Sequence, residues 1–337
     1  MKKRTEYFDT VRLLAALFIF TTYFIAFFEP DIFKLWDEVF VTSLFLNGVT
    51  GKLCVTLFCV ILGYFAMIKG LKNAENPKEQ GWKYLVERYL YFLIAGLIIH
   101  TAYYLFSRFA LAPYQVSIAD VFRSSVFLKD TIIKHWWSMI PFLIGSFVCY
   151  INGRYHVQLR DIAVEILICI YIGQIWVAIC LMGNVMYILL QNEKITNILC
   201  LKRTRIIILA AIFVLIKRPE NNTTFLIDGI CMSAFMMMLC TWNGLQKVFN
   251  HKIWTGFNKY YMGVYMVHEL IYASAGLKIV QGLLSVPYKI RLPLAYLVSL
   301  ILTLVCAKLI MHLVNFINRA VISRLNKIVY RERKTII

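Results

Sequence analysis

The chain has 337 residues, length enough for two soluble domains. Its 60% hydrophobic and 16% charged residues, with a mean hydropathy of +0.68, lie outside the usual globular balance of roughly 45–50% apolar and about 25% charged, which excludes a soluble protein; 24 Phe, 20 Tyr and 7 Trp likewise exclude a disordered chain or a small disulfide scaffold. The net charge of +18 gathers at the ends and between apolar runs, which is the positive-inside pattern of a polytopic membrane protein and not a basic groove for nucleic acid.

A spanning helix needs about 20 mainly apolar residues. In chain order, runs of that length occupy 8–28, 42–68, 84–106, 260–284 and 294–317. The run 136–151 is shorter but is bounded by Trp and Tyr suited to an interface, while 206–216 and 225–242 complete a crossing with neighbouring polar residues. Residues 162–191 are too many for one untilted crossing, and Gly173 and Gly183-Asn184 offer breaks.

Charge arbitrates. With Lys2, Lys3 and Arg4 cytoplasmic, the acidic 29–38 loop falls outside, and the basic 69–83 and 194–205 segments fall inside. The tail carrying Arg319, Arg324, Lys327, Arg331, Arg333 and Lys334 is also inside only if the number of spans is even, and two short helices within 162–191 then give ten. The expectation is an all-α, polytopic integral membrane helical bundle of about ten transmembrane helices, with N and C termini cytoplasmic.

The exception is 107–134, a 28-residue loop left outside with Arg108, Arg123, Lys129 and Lys134, where partial structure is expected, either an interfacial helix or a cover over a site. No small-residue cleavage pattern follows the first run, so the first helix is expected to be retained and no soluble domain is expected. The nine cysteines, with no CxxC pair, are expected to be buried free thiols.

An ionisable group inside a span costs about 3 kcal/mol unless it is paired or wet, so each one marks a functional hypothesis. Asp9 and Arg12 share a face near the start of the first helix, where Arg12 either snorkels and pairs with Asp9 or serves a site. Glu87 and Arg88 open the third run, His100 lies deeper in it, and His135 precedes Trp136-Trp137. His268, followed by Glu269, stands well inside a run; Lys52 and Gln174 stand beside apolar runs, and Glu165, Asp228 and Lys308 are expected at helix ends or in internal pairs. No GxSxG, HExxH, GxxxxGK[ST] or GxGxxG pattern supports a hydrolase, zincin, P-loop or Rossmann protein.

Five segments now combine. Asp9-Thr-Val-Arg12 is followed in the same helix by Tyr23; the second run ends Leu62-Gly63-Tyr64-Phe65; 84–92 retains Arg88 and carries Tyr91. Next come His135-Trp136-Trp137-Ser138-Met139-Ile140-Pro141 and Tyr260-Tyr261-Met262-Gly263-Val264-Tyr265-Met266-Val267-His268. In order and spacing these resemble acyltransferase family 3, integral-membrane enzymes that pass acyl groups, usually acetyl, to sugars and other extracytoplasmic acceptors. The family's first helix reads Asp-x-x-Arg, ten residues, then His, so Tyr23 stands at the family's His position; Leu62 replaces a common Ser, and Tyr91 a frequent Arg.

The resemblance implies one transmembrane acyltransferase-like domain over 1–337, with 318–337 as a basic cytoplasmic tail. It also implies acetyl-CoA as a cytoplasmic acyl donor, no metal, membrane lipid around the protein, and a glycan or lipid-linked sugar acceptor on the outer side; the compact loops and the lack of a eukaryotic sorting feature point to a bacterial plasma membrane. On it, Arg12 and Arg88 serve the acyl-CoA, Tyr23 occupies the base position, and His135, Trp137, Tyr265 and His268 serve the acceptor or orient the acyl group. His suits a base because its pKa lies near neutrality, and Arg suits phosphates through fixed charge and forked donors. Arg12 and Tyr23 are 11 residues apart, about 16 Å at a helical rise, so they act at different depths. A phenol with an ordinary pKa of about 10 is a poor base at neutral pH. Three alternatives stand: Tyr23 is activated or only donates a hydrogen bond, His268 or His135 supplies the base, or the chain is an inactive relative. A non-catalytic translocator or export partner of a surface polysaccharide is the rival function.

Overall fold

The computed structural model describes residues 6–28, 32, 49–75, 81–109, 115–129, 132–215 and 222–335, and no strand occurs among them. The predicted Lys2–Arg4 cluster and most of the 29–38 loop lie outside the described residues. Three long apolar helices come first: α1 (Glu6–Phe27), α2 (Val49–Ala74) and α3 (Gly81–Arg108). Then follow the short α4 (Ile118–Val126), a 3-10 turn (Lys134–Ser138), α5 (Met139–Arg154), α6 (Leu159–Tyr171), α7 (Ile175–Leu190), α8 (Glu193–Cys200) and α9 (Lys202–Leu215). The remainder is α10 (Asn222–Thr241), α11 (Asn243–Phe249), α12 (Lys252–Thr255), a 3-10 turn (Asn258–Tyr260), α13 (Tyr261–Ile271), a π turn (Tyr272–Gly276), α14 (Leu277–Gly282) and α15 (Tyr288–Thr335).

Among the described residues five helices are long and apolar enough to cross a membrane: Glu6–Phe27, Gly51–Ala74, Trp82–Arg108, Thr224–Thr241 and Tyr288–Arg324; the bent pair of α7 and α8 makes a sixth if it counts as one span. Large apolar side chains such as Leu167, Ile207, Phe213, Leu309 and Phe316 point outward, as a bundle in lipid requires and a protein in water avoids. The chain is therefore an all-α bundle of membrane type.

Local chemistry explains several boundaries. The 162–191 run splits at Gly173, as its sequence suggests. Gly173 adopts φ +77°, its N–H donates to the Ile170 carbonyl at 3.1 Å, and the Gln174 N–H donates to the Cys169 carbonyl at 2.7 Å. That pair of bonds satisfies the last carbonyls of α6 with a glycine in the left-handed region. The 69–83 segment is less of a loop than expected, because α2 runs on to Ala74 and α3 begins at Gly81; Lys72 in the last turn of α2 suits the negative end of that helix. The 260–284 run is broken by the π turn, whose Ala273, Ser274 and Gly276 are small enough for the wider winding.

The bundle centre is held by close backbone approach. A Cβ added at Gly63 of α2 would collide with the Cys180 carbonyl of α7, and one at Gly183 of α7 would collide with the Val60 carbonyl of α2. Only glycine permits this contact, which brings the two axes together where lipid supplies no hydrophobic drive. Cys59, Cys149 and Cys180 are buried here as free thiols, whereas Cys54, Cys169, Cys231, Cys240 and Cys306 are only half-buried and Cys200 is exposed, so the expectation of nine buried thiols holds in part.

The 107–134 segment is partly helical, and it packs against a span. Ser117 and Asp120 form a capping box that starts α4, and the bonds from Ser117 hold the Asp120 carboxyl below its ordinary pKa. Tyr89 donates to the Val126 carbonyl at 2.7 Å, and Ser125 Oγ lies 3.0 Å from His100 Nδ1. These partners sit in the first half and middle of α3, so the segment turns back along that helix, with Val121, Ser124 and Ser125 buried. The 3-10 turn then sets Trp136 against the His100 ring at 4.6 Å.

Candidate active site

Two groups of polar side chains are joined by a seam of rings at the contact of α1, α2 and α13. The first lies at the end of the bundle where α1 begins and α2 ends. Arg12 Nη1 bonds Asp9 Oδ1 at 2.8 Å, so the predicted pairing of Asp9 with Arg12 forms. The same guanidinium lies 4.9 Å from the Phe65 ring and 5.0 Å from the Tyr261 ring, within cation–π range. Arg88 of α3 reaches the Tyr84 hydroxyl at 3.4 Å and has Tyr261 and Tyr91 as electrostatic neighbours. Tyr261 is thus a neighbour of both arginines. Among the described residues Arg88 makes no ion pair, whereas the nearby Glu87 is engaged by Lys69 at 3.5 Å.

Beside Arg88 a cavity of about 340 Å³ is lined by Phe65, Ala66, Lys69, Tyr84, Glu87, Arg88, Tyr91, Asn318 and Ile322. A guanidinium that makes no ion pair among the described residues and stands among aromatic walls is suited to an anion.

The second group lies deeper, around His268. Its ring is 5.6 Å from Tyr23, 6.1 Å from Tyr265, 6.0 Å from Tyr272 and 6.5 Å from Phe20. His268 is fully buried and its Nδ1 lies 2.8 Å from the Tyr265 carbonyl. A carbonyl only accepts, so in the neutral ring Nδ1 carries the proton and Nε2 is the basic nitrogen. Trp137 donates to Tyr23, and the buried Glu269 is an electrostatic neighbour of the same phenol. Tyr265 hydroxyl and Ser138 Oγ are 2.8 Å apart. The π turn begins just beyond this group, at Tyr272.

Between the groups, Tyr261 stacks on Phe58 at 5.8 Å, and Phe58 lies 5.6 Å from Tyr265, which leads to His268. The spacing of Tyr261, Tyr265 and His268 puts all three on one face of α13. The structure therefore brings together Tyr23, Trp137, Tyr265 and His268 at one end of the seam, and Arg12 and Arg88 at the other. The backbone of His135 belongs to the 3-10 turn beside Trp137, and its side chain lies outside the described residues. His100 is elsewhere, with Ser125 and Trp136. Glu165 takes a bond from Asn152 at 2.6 Å, an internal pair of the kind expected for it. Phe58, Tyr261, Ser138 and Asn318 were not singled out by sequence: aromatic residues in apolar runs carry no mark of their own, although the spacing of 261, 265 and 268 was readable.

The fold and the candidate site together are a helical bundle of membrane type with a basic cavity at one end, an imidazole among phenols further in, and rings between them. The family described as an acyltransferase domain, acyltransferase family 3, matches residues 5–312, nearly the whole chain. The chain belongs to that family, and it is a membrane protein of acyltransferase lineage. No curated protein and no solved structure matches it.

Proposed function

We propose that the protein transfers an acyl group, acetyl in the first instance, from cytoplasmic acyl-CoA to a hydroxyl of a cell-surface polysaccharide or its lipid-linked precursor. On this reading the chain crosses a bacterial plasma membrane ten times with both termini in the cytoplasm, so the Arg12 and Arg88 end faces the donor. The observation that supports it is the run of ring contacts from Tyr261, a neighbour of Arg12 and Arg88, through Phe58 and Tyr265 to the buried imidazole of His268.

In the proposed reaction Arg88, with Arg12 beside Tyr261, holds the donor's phosphate charge. The acyl end reaches inward along the rings. His268 Nε2 takes the proton of the acceptor hydroxyl as its oxygen attacks the thioester carbonyl; the C–S bond then breaks, and the departing thiolate receives that proton. Tyr23, held by Trp137, gives a hydrogen bond to a reacting oxygen and is not the base. This assigns the base role to the α13 imidazole already beside Tyr23 and keeps the enzyme active despite the tyrosine.

The test is transfer of label from acetyl-CoA to a cell-envelope glycan fraction by the purified protein, with Arg12→Ala as the blank. Transfer by the protein and none by the blank is the expected result. Activity appearing only in Tyr23→His would mean a disabled enzyme. Absence of both transfer and CoA binding in every form would leave the export reading.

A further inference from the structure

The wall of the arginine cavity is not supplied by the family segment alone. The family matches residues 5–312, yet Asn318 and Ile322 line the cavity. Both lie on α15, which continues without a break from Tyr288 to Thr335. Along that helix Ala307, Met311 and Val314 form the buried face, and Tyr91 of the cavity donates to Met311 Sδ at 3.5 Å. Positions 318 and 322 prolong the same face at helical spacing. Every member of this stripe from 307 to 322 is apolar except Asn318.

An amide at such a position calls for a partner, and Asn318 Oδ1 is buried with none among the described residues. A buried carbonyl oxygen without a donor costs free energy, which a ligand N–H would recover. The cavity's other groups indicate what brings that N–H. Among the described residues Arg88 makes no ion pair, and the walls are Phe65, Tyr84 and Tyr91 together with the Lys69–Glu87 pair. At about 340 Å³ the volume is near the lower end of the roughly 300–1,000 Å³ of small-molecule sites, so it takes part of a coenzyme and not the whole.

We propose that Asn318, beyond the family segment, is a donor-binding residue: the cavity holds the phosphopantetheine arm of the acyl donor, with its phosphate on Arg88 and a pantetheine amide N–H donating to Asn318 Oδ1. This rests on the donor reading above. It assigns the C-terminal part of α15 to the substrate site and not to a tail that is only basic and solvated.

The test measures binding of coenzyme A, 4′-phosphopantetheine and adenosine 3′,5′-bisphosphate to the detergent-solubilised full chain and to Asn318→Leu, Arg88→Ala and Phe316→Leu. Phe316 is on the outward face of the same helix and controls for general damage to it; the ligand-free melting temperature of each variant controls for folding. Asn318→Leu is expected to weaken coenzyme A and phosphopantetheine about tenfold, to leave the bisphosphate unchanged, and to regain most of the loss as Asn318→Gln. If Arg88→Ala weakens coenzyme A and Asn318→Leu binds like the parent, the Asn318 proposal fails and the donor reading stands. A loss in Asn318→Leu shared equally by the bisphosphate overturns the assignment to the pantetheine arm. If the parent binds none of the three probes, the donor reading itself fails and takes this proposal with it.

Discussion

The two ends of the seam are built from different materials. At the arginine end the working groups are fixed charges set against rings, with Arg12 between Phe65 and Tyr261 and Arg88 beside Tyr84. At the His268 end the polar groups are an imidazole, phenols and an indole, with the Glu269 carboxylate buried beside them. The sequence keeps Asp9, Arg12 and Arg88 at the first end but carries Tyr91 where the family often has Arg; at the second it keeps Tyr265 and His268 but carries Tyr23 where the family has His. The difference is physically reasonable. Recognising phosphate needs a permanent cation at a set place, whereas a proton can be taken by any suitable group within reach of the reacting oxygen. His268 is close enough to Tyr23 for the base to have changed helix without moving the site.

The largest effect should come from breaking the second end. His268→Ala is expected to lower kcat for acetyl transfer by about 10²–10⁴-fold, the usual contribution of a general base, with little change in KM for the donor. A decline of only a few-fold would remove the base from α13 and return attention to Tyr23 or His135. The opposite split is expected at the first end: Arg88→Ala should raise the donor KM by about 10–100-fold, the worth of charged hydrogen bonds to a phosphate, with kcat nearly kept. Equal losses in kcat from both variants would abolish the contrast between the ends.

The register between the ends depends on α2, which carries both Phe58 and Phe65. Gly63→Val would force a side chain onto the Cys180 carbonyl, and overpacking of this kind costs about 1–3 kcal/mol. A lower melting temperature in detergent, with both kcat and KM altered in the folded fraction, is the expected signature. A variant as stable as the parent would show that α2 and α7 are not held by this contact.

Much of this was legible beforehand, for identifiable reasons. Runs of apolar residues and the placement of Lys and Arg report a membrane bundle directly, and Gly173 marked a real break because a left-handed turn there excludes most side chains. Arg12, Arg88 and His268 stood out because charge and imidazole are expensive inside a span, and Tyr265 only through the resemblance of its segment to the family. What the sequence hid was convergence. Nothing in the chain says that Phe58 links Tyr261 to Tyr265, that residues after 107 turn back along α3, or that Asn318 borders the cavity of Arg88, since all three depend on how separate helices cross. Span count was the least legible feature: helices as short as α5, α6 and α7 are shaped by their neighbours, and their hydropathy alone does not fix how deeply each lies.

The smallest effect belongs to Tyr23, which stands where the family has His. Tyr23 has Trp137 as a hydrogen-bond donor and Glu269 as an electrostatic neighbour. Tyr23→Phe leaves the ring beside His268 and removes only the hydroxyl, so the loss should be that of one neutral hydrogen bond, about 1 kcal/mol or five-fold in kcat. A loss as large as that of His268→Ala would make the phenol the acting base and erase the distinction drawn between the two helices. Comparison of the two variants with the double variant then decides whether the groups act as one unit, because residues that share a proton-transfer step lose little more together than apart.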